Sequence, residues 1–501
     1  MDRKRRLVFN TALLTAVSLV MRCIGMAWQV WLVSRIGASG IGLFTLVLSV
    51  GSMAATFAIS GIRFTSTRLI SEELGVGNAG GVAASVRRCF AYGVFFGLAG
   101  MTILYLTAER IGFLWIGDAR TVLSLKIFAF SLPFTALGAV LEGYFTSTGR
   151  VYKSALAQVG EQLLQIALTV LLLTKAPRDD LEMSCAAVIA ASTAAQGASF
   201  FLLYVLYLGD RRRYAPGRQG GRLTLRMLHI AMPLALSAYA RTSLSTLQHI
   251  LVPKGLRRAG RTADSAMADY GVIHGMAFPV VTFPACFLMA LSQLLVPELT
   301  EAQVAGREGH IRRLTSALLE RCLIFSVGVA AVLFTFAREL GLLIYSSESA
   351  GRFIGLLALL SPVIYMDMVT DGCLKGLGQM LYSMTVNIFD SLTCVILVLV
   401  LLPRYGLWGY VCIVFGSELF NFALSFYRLR RMVSLQVDWG RCALAALCAL
   451  GSAQGVRLLL NLRGVRSAPL PGACLAIICA LGAYLLLLHA LGALETKKDR
   501  G

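Results

Sequence analysis

Apolar runs of about twenty residues recur along the whole chain, parted by short polar connections rich in arginine. A helix needs about 20 mainly apolar residues to cross a bilayer, so the runs predict spans near 8–34, 40–62, 83–107, 121–146, 152–174 and 184–208. Beyond a basic connection they predict 224–252, 268–296, 314–337, 352–375, 381–402 and 407–428, then two more near 441–460 and 470–493. The expected fold is an all-α polytopic membrane protein with about 14 transmembrane helices. Its expected organisation is a six-helix lobe at 1–210, a basic linker at 211–226, a second six-helix lobe at 227–432, and two extra helices with a short tail at 433–501.

Composition agrees with that pattern. The 501 residues are 57% hydrophobic and 14% charged, with a mean hydropathy of +0.73, against roughly 25% charged in soluble domains. A net charge of +20 would suggest nucleic acid in a soluble chain. In a membrane chain it marks the cytoplasmic connections, which carry the excess of Lys and Arg and face anionic headgroups. No nucleic-acid partner is expected. With the N-terminus inside, the arginine clusters at Arg63/Arg68/Arg87/Arg88, Arg211–Arg226, Arg307/Arg312/Arg313 and Arg428/Arg430/Arg431 fall on the cytoplasmic side. Both termini are then cytoplasmic, and Asp2–Arg6 begins a retained first helix rather than a signal peptide. The basic stretch 254–261 falls on the outer side, against the rule. The 12 cysteines are scattered through apolar runs with no metal-ligand spacing, so packing is their expected role.

The chain repeats itself. Arg22 and Arg241 are 219 positions apart, and the same shift superimposes Gln29 on Gln248 and Arg35 on Lys254. A shift of 225 places Glu73 on Glu298 and Arg87-Arg88 on Arg312-Arg313. A shift of 229 places Pro133 on Pro362, Glu142-Gly143 on Asp371-Gly372, Gly149 on Gly378, Ser154 on Ser383, Gln158 on Asn387 and Glu161 on Asp390. Six helices followed by six of equal orientation make parallel repeats, and transporters built from repeats commonly bind cargo near the bilayer midplane.

Arg22 and Arg241 each lie a dozen or more residues into their spans. A charge that deep costs at least about 2.5–3.5 kcal/mol on insertion scales, so it faces protein or a wet cavity. A guanidinium stays protonated and forks onto phosphate oxygens, and two of them suit an anion such as a pyrophosphate. Gln29, Gln248 and His274 are the other candidate cargo contacts. His274 is equally readable as a satisfied interior histidine. Asp367, Asp371 and Lys375 recur every four residues and share one helix face. With Asn387, Asp390 and Glu418, and with Glu142 and Glu161 in the first half, they are candidates for gating or for coupling to Na⁺, H⁺ or the membrane potential, or for polar groups satisfying one another between helices. No cofactor and no metal site is expected.

Four ordered motifs carry a family resemblance: Arg22-Cys-Ile-Gly25; Gly61-Ile-Arg63-Phe with Arg68-Leu-Ile-Ser-Glu72-Glu73-Leu; Tyr270-Gly with Gly275-Met-Ala-Phe278-Pro279; and Gly372-Cys-Leu-Lys-Gly376-Leu-Gly378. On them the chain resembles the multidrug/oligosaccharidyl-lipid/polysaccharide exporter superfamily, in the branch of stage V sporulation protein B and the lipid II flippases. The resemblance implies two pseudo-symmetric six-helix lobes around a central cavity, with Arg22 at the place of a pyrophosphate-holding arginine. It also implies a groove for a polyisoprenyl tail at the last two helices. Trp28 and His274 stand where that branch carries further arginines. The resemblance thus implies a flippase of the bacterial cytoplasmic membrane. Its cargo would be a polyisoprenyl-pyrophosphate-linked saccharide serving peptidoglycan, spore cortex or another surface polysaccharide, with membrane lipids and cell-wall or polysaccharide synthases as partners. A cation-coupled multidrug exporter of the same superfamily is the alternative. An enzyme is not expected, because no connection exceeds about 20 residues or carries an acid/base constellation.

Overall fold

One glycine decides how the first spans are joined. Gly37 adopts φ 69° and ψ −178° inside a helix that otherwise runs Arg3–Ile59, a backbone region open essentially to glycine alone. The helix folds there into the two spans expected at 8–34 and 40–62. Gly406 (φ 56°, ψ −135°) does the same inside Met380–Met432.

The computed structural model describes residues 3–175, 180–211, 223–462 and 470–490, without the side chains of 3–16, 290–297, 460–462, 470–475 and 489–490. Most of the basic linker, and Arg463 and Arg466, lie outside the described residues. The helices are α1 Arg3–Ile59, α2 Ile62–Gly75, α3 Ala79–Arg110, α4 Val122–Ala129, α5 Leu132–Ser147, α6 Val151–Lys175, α7 Leu181–Arg211, α8 Leu223–Arg258 and α9 Ala263–Tyr270. They continue with α10 Phe278–Thr282, α11 Ala285–Val304, α12 Glu308–Thr335, α13 Ala337–Tyr345, α14 Glu348–Ala358, α15 Ser361–Gly376, α16 Met380–Met432, α17 Trp439–Leu462 and α18 Leu470–Ala490. Two π-helical turns, Ile111–Ile116 and Gly271–Ala277, extend α3 and α9. No strand occurs among the described residues.

Among the described residues, eight helices are long and apolar enough to cross a membrane, or ten when each of two bent pairs counts as one span. Two of the eight contain the breaks at Gly37 and Gly406, so this is consistent with the expected fourteen. The bent pairs are α4–α5, at 45°, and α14–α15, at 55°. Each bend precedes a proline in the first turn of the second helix, Pro133 and Pro362, where a missing N–H breaks no helical bond.

The sequence repeat is written into backbone geometry. After α5, amide-to-carbonyl bonds run Thr148→Tyr144, Gly149→Thr146 and Arg150→Phe145; after α15 the same three run Leu377→Cys373, Gly378→Lys375 and Gln379→Leu374. Gly149 (φ 70°) and Gly378 (φ 71°) hold the left-handed position. The register after α2 needs correction. There the bonds Val76→Glu72, Gly77→Leu74 and Asn78→Glu73 match Ala305→Glu301, Gly306→Gln303 and Arg307→Ala302, an interval of 229 (77 to 306) rather than the 225 read from Glu73 and Glu298. A turn glycine is fixed by sterics, whereas the exposed Arg87-Arg88 pair is free to drift.

Contacts divide the chain into one unit of residues 1–268 with 395–406 and another of 269–394 with 407–501. In the first unit, Ile62, Leu69, Cys89, Tyr92, Val140 and Met227 form one core, and Ile70, Val86, Leu141, Tyr144, Phe145 and Tyr207 another. Gly143 lets α5 approach α2, since a Cβ there would meet the Ser66 hydroxyl. Near the end of α7, Asp210 is buried against Arg150 (2.5 Å) and Lys153 (2.8 Å). Asp210→Ala strands two largely buried cations and should cost about 3 kcal/mol, read as a lowered thermal midpoint in detergent. In the second unit the last two helices pack on α12 through Ala331, Ala445, Ala449, Ala453 and Tyr484. Gly328 leaves room for the Tyr484 ring, whose hydroxyl donates to the Ile324 carbonyl at 2.8 Å.

Candidate functional site

Arg22 lies on α1 in a cavity of about 280 Å³ that it shares with Val17, Ser18, Met21, Ala155, Gln158 and Gln162. Gln158 and Gln162 are one turn apart on α6 and so share a face. Gly25 brings that face close, because a Cβ there would sit 3.1 Å from Gln162 Nε2. The Gln162 amide donates to the Met21 carbonyl at 3.4 Å. The Arg22 cavity thus has a hydroxyl and two amides in its lining, and no carboxylate. Gln162 is the functional candidate that sequence reading missed, although it follows the singled-out Gln158 by one helical turn.

Arg241 is exposed on α8 and makes no hydrogen bond or ion pair among the described residues. The next residue, Thr242, accepts from Thr56 at 3.4 Å, and Thr246 donates to the Ser49 carbonyl at 3.0 Å, so this face of α8 lies along the second half of α1. Arg22 is 15 residues before the Gly37 bend and Thr56 is 19 after it, roughly 22 and 28 Å of helix at 1.5 Å per residue. Arg241 does not line the Arg22 cavity, and neither do Gln29 and Gln248, both half-buried. Trp28 packs edge-on against Phe44 with ring centroids 6.2 Å apart.

His274 sits in the π-helical turn after α9, held by aromatic neighbours. Its Nε2 shares a 2.5 Å hydrogen bond with the Tyr410 hydroxyl. Its ring stacks on Phe278 at 5.5 Å and lies 4.8 Å from Tyr270. Tyr270 and Tyr410 are almost fully buried, and this geometry is that of a satisfied interior histidine.

The polar residues of α15 and α16 gather into one network. Asp371 pairs with Lys375 and accepts from Ser383. Ser417 donates to Asp390 at 2.7 Å, and Asn387 donates to the Ser383 carbonyl at 2.8 Å. Asn421 reaches both Asp367 (3.4 Å) and Asn387 (3.5 Å), and Ser425 bonds with Asp367 as well. Glu418 feels the charges of Asp367 and Asp390. The six candidates from this half therefore come together, with Ser417 and Asn421 added. No three His, Cys, Asp or Glu side chains among the described residues are grouped to hold a metal ion. In the first half, Glu142 instead pairs with Arg63 at 2.7 Å and Glu161 bonds with Ser199.

The basic stretch 254–261 finds its place here. Lys254 donates to the Leu114 carbonyl at 2.6 Å and Arg257 to that of Gly117 at 2.8 Å. These carbonyls close the end of α3 and its π-helical turn, where a helix favours cations. Arg120 bridges Asp118 and Asp264, each at 2.8 Å. Elsewhere in the unit, Glu72 pairs with Arg68 at 3.1 Å and with Arg226.

No family model matches the chain. The chain is homologous to stage V sporulation protein B of Bacillus subtilis (strain 168), at 23% identity over 414 residues, covering 81% of this chain and 80% of that protein. Its fold is similar to that of the lipid II flippase MurJ in an inward closed conformation, with a TM-score of 0.75 at 12% identity over 96% of this chain and 98% of that one. It is also similar to an inward-facing multidrug resistance MATE transporter of the MOP superfamily, with a TM-score of 0.63 at 16% identity over 84% and 98% of the two chains. The chain is a multi-pass membrane protein with a transporter fold.

Proposed function

We propose that the protein is a flippase that carries a polyisoprenyl-pyrophosphate-linked saccharide across the bacterial cytoplasmic membrane by alternating access, from the cytoplasmic to the outer leaflet. The observation that carries this reading is the Arg22 cavity, where a permanent positive charge, expected at membrane depth, lies among amides and a hydroxyl with no lining carboxylate among the described residues. Such a lining favours a phosphate and disfavours the cationic cargo of a drug exporter. No bond is made or broken. The guanidinium takes the pyrophosphate oxygens, Gln158 and Gln162 supply neutral hydrogen bonds, and the polyisoprenyl tail stays in lipid. Arg241 is the second cation of this reading, and it meets the cargo in another stage of the cycle.

The α15–α16 network is the coupling element of the same proposal. One lysine faces four carboxylates there, so the cluster gains by taking up a proton, or a Na⁺ held by carboxylate, amide and hydroxyl oxygens. The same carboxylates favour the second reading, a cation-coupled multidrug exporter. Native mass spectrometry of the purified protein separates the two. A co-purifying lipid-pyrophosphate saccharide, lost in Arg22→Ala, is the expected result. Absence of any such lipid, together with raised drug resistance in an exporter-deficient host, would overturn the flippase reading.

A further inference from the structure

A second basic cavity, far along the chain from Arg22, is formed by α12, α13, α14 and α17. Its volume is about 470 Å³, and Phe334, Thr335, Arg338, Arg352, Gly355 and Arg457 are among its lining residues. We propose that it holds the phosphate of an anionic membrane lipid.

Three guanidinium groups share this space with one carboxylate, Glu348, which pairs with Arg338 at 2.8 Å. Arg457 is tethered by donating to the Thr335 carbonyl at 3.0 Å, and Arg352 donates to the Ser349 hydroxyl at 3.4 Å. Glu339 also acts on Arg338, so the local balance is a surplus of one positive charge. The Thr335 hydroxyl, on a residue 2% exposed, has no partner among the described residues although the residue lines the cavity. The eleven-residue α14 begins at this cavity, capped by Ser347 accepting from Ala350 N, and adds the positive end of its dipole.

Repeat symmetry does not explain the charge. At the interval of 229, Arg338 and Arg352 correspond to Glu109 and Leu123 in the first half. The arginines belong to the second half alone, where α17 adds a third. Lipid is favoured over a free anion by what surrounds the cavity. Phe334 is 45% exposed, and Leu458 and Leu459 beside Arg457 are each 60% exposed, an apolar surface suited to acyl chains below a headgroup. Arginine is the side chain that forks onto phosphate oxygens while its stem lies in apolar surroundings.

The test uses full-length protein in nanodiscs carrying photoactivatable phosphatidylglycerol, or the same photoprobe on phosphatidylcholine. Mass mapping should place the phosphatidylglycerol label on peptides covering 334–357 and 456–459, and inorganic phosphate should not displace it. Arg352 is exposed with one hydroxyl contact, so Arg352→Gln keeps the fold, checked by an unchanged thermal midpoint. Losing one charge-assisted contact should lower the label about tenfold. Equal labelling by the two lipids, full labelling of Arg352→Gln, or displacement by inorganic phosphate would each overturn the assignment, the last by leaving a free-anion site in its place.

Discussion

Arg22→Ala should abolish transport of a fluorescent lipid-pyrophosphate saccharide in proteoliposomes while leaving expression and thermal midpoint at wild-type values. The side chain is exposed to its cavity, so its removal takes away little packing. In the proposed function its contribution is to cargo. A hydrogen bond to a charged group is worth about 1.5–3 kcal/mol, so losing both arms of a guanidinium–phosphate fork should weaken binding about 100-fold or more. Arg22→Lys keeps the charge and loses the fork, so it should retain a fraction of activity between the two. Gln162→Ala should weaken cargo more mildly, since it removes one neutral hydrogen bond worth about 1 kcal/mol. Arg241→Ala should also abolish transport if the cargo passes between two cations in turn. Wild-type transport in both arginine variants would end the pyrophosphate reading. Loss in Arg22→Ala alone would leave a single-arginine site and remove Arg241 from the cargo's path.

Much of the fold was readable because lipid leaves few options. A backbone in hydrocarbon must satisfy its own hydrogen bonds, so apolar length predicts helices directly, and all the expected spans coincide with observed helices or with chains of short ones. The bends were hidden, because a kink at Pro133 or Pro362 and a π-helical turn at Gly271–Ala277 leave hydropathy unchanged. Even so, the matched prolines had been placed in register by the repeat. Register failed where it rested on Arg87 and Arg88, whose exposed side chains place no steric demand on their position, and on Glu73, which is buried while its supposed counterpart Glu298 is exposed.

The candidate site was legible in part, and the division follows chemistry. Charges in apolar runs are conspicuous, so Arg22 and the carboxylates of α15 and α16 stood out at once. Their neutral partners did not. Gln162, Ser417 and Asn421 carry no charge, and polar residues of this kind recur throughout membrane helices as packing and hydrogen-bonding groups. The pairing of Glu142 with Arg63 was also out of reach, because it joins α5 to α2 across 79 positions (63 to 142). Lys254 and Arg257, expected on the outer side against the charge rule, have backbone carbonyls as partners, which the rule does not count.

Asp390→Asn should reduce transport at least tenfold and remove its response to an imposed Na⁺, proton or voltage gradient, while co-purification of cargo persists. The argument starts from charge balance. Asp367, Asp371, Asp390 and Glu418 have Lys375 as the one cation bonded within their network, and it is engaged by Asp371. Asp390 is instead held by the Ser417 hydroxyl, which orients a carboxylate without neutralising it. Leaving several uncompensated charges at membrane depth is costly, so in the proposed function binding and release of a cation at this network would couple its conformation to the gradient. One elementary charge moved through 100 mV is worth about 2.3 kcal/mol, close to a 50-fold bias, and that bias is what the variant forfeits. Asn387→Ala should shift the ion dependence without abolishing it, since it removes an oxygen and no charge. Asp371→Asn serves as the contrasting case. It frees Lys375 and should lower the thermal midpoint, because Asp371 also anchors Ser383 at the start of α16. If Asp390→Asn and Glu418→Gln both keep a wild-type gradient response, the network is a structural set of satisfied polar groups, and the driving force enters elsewhere.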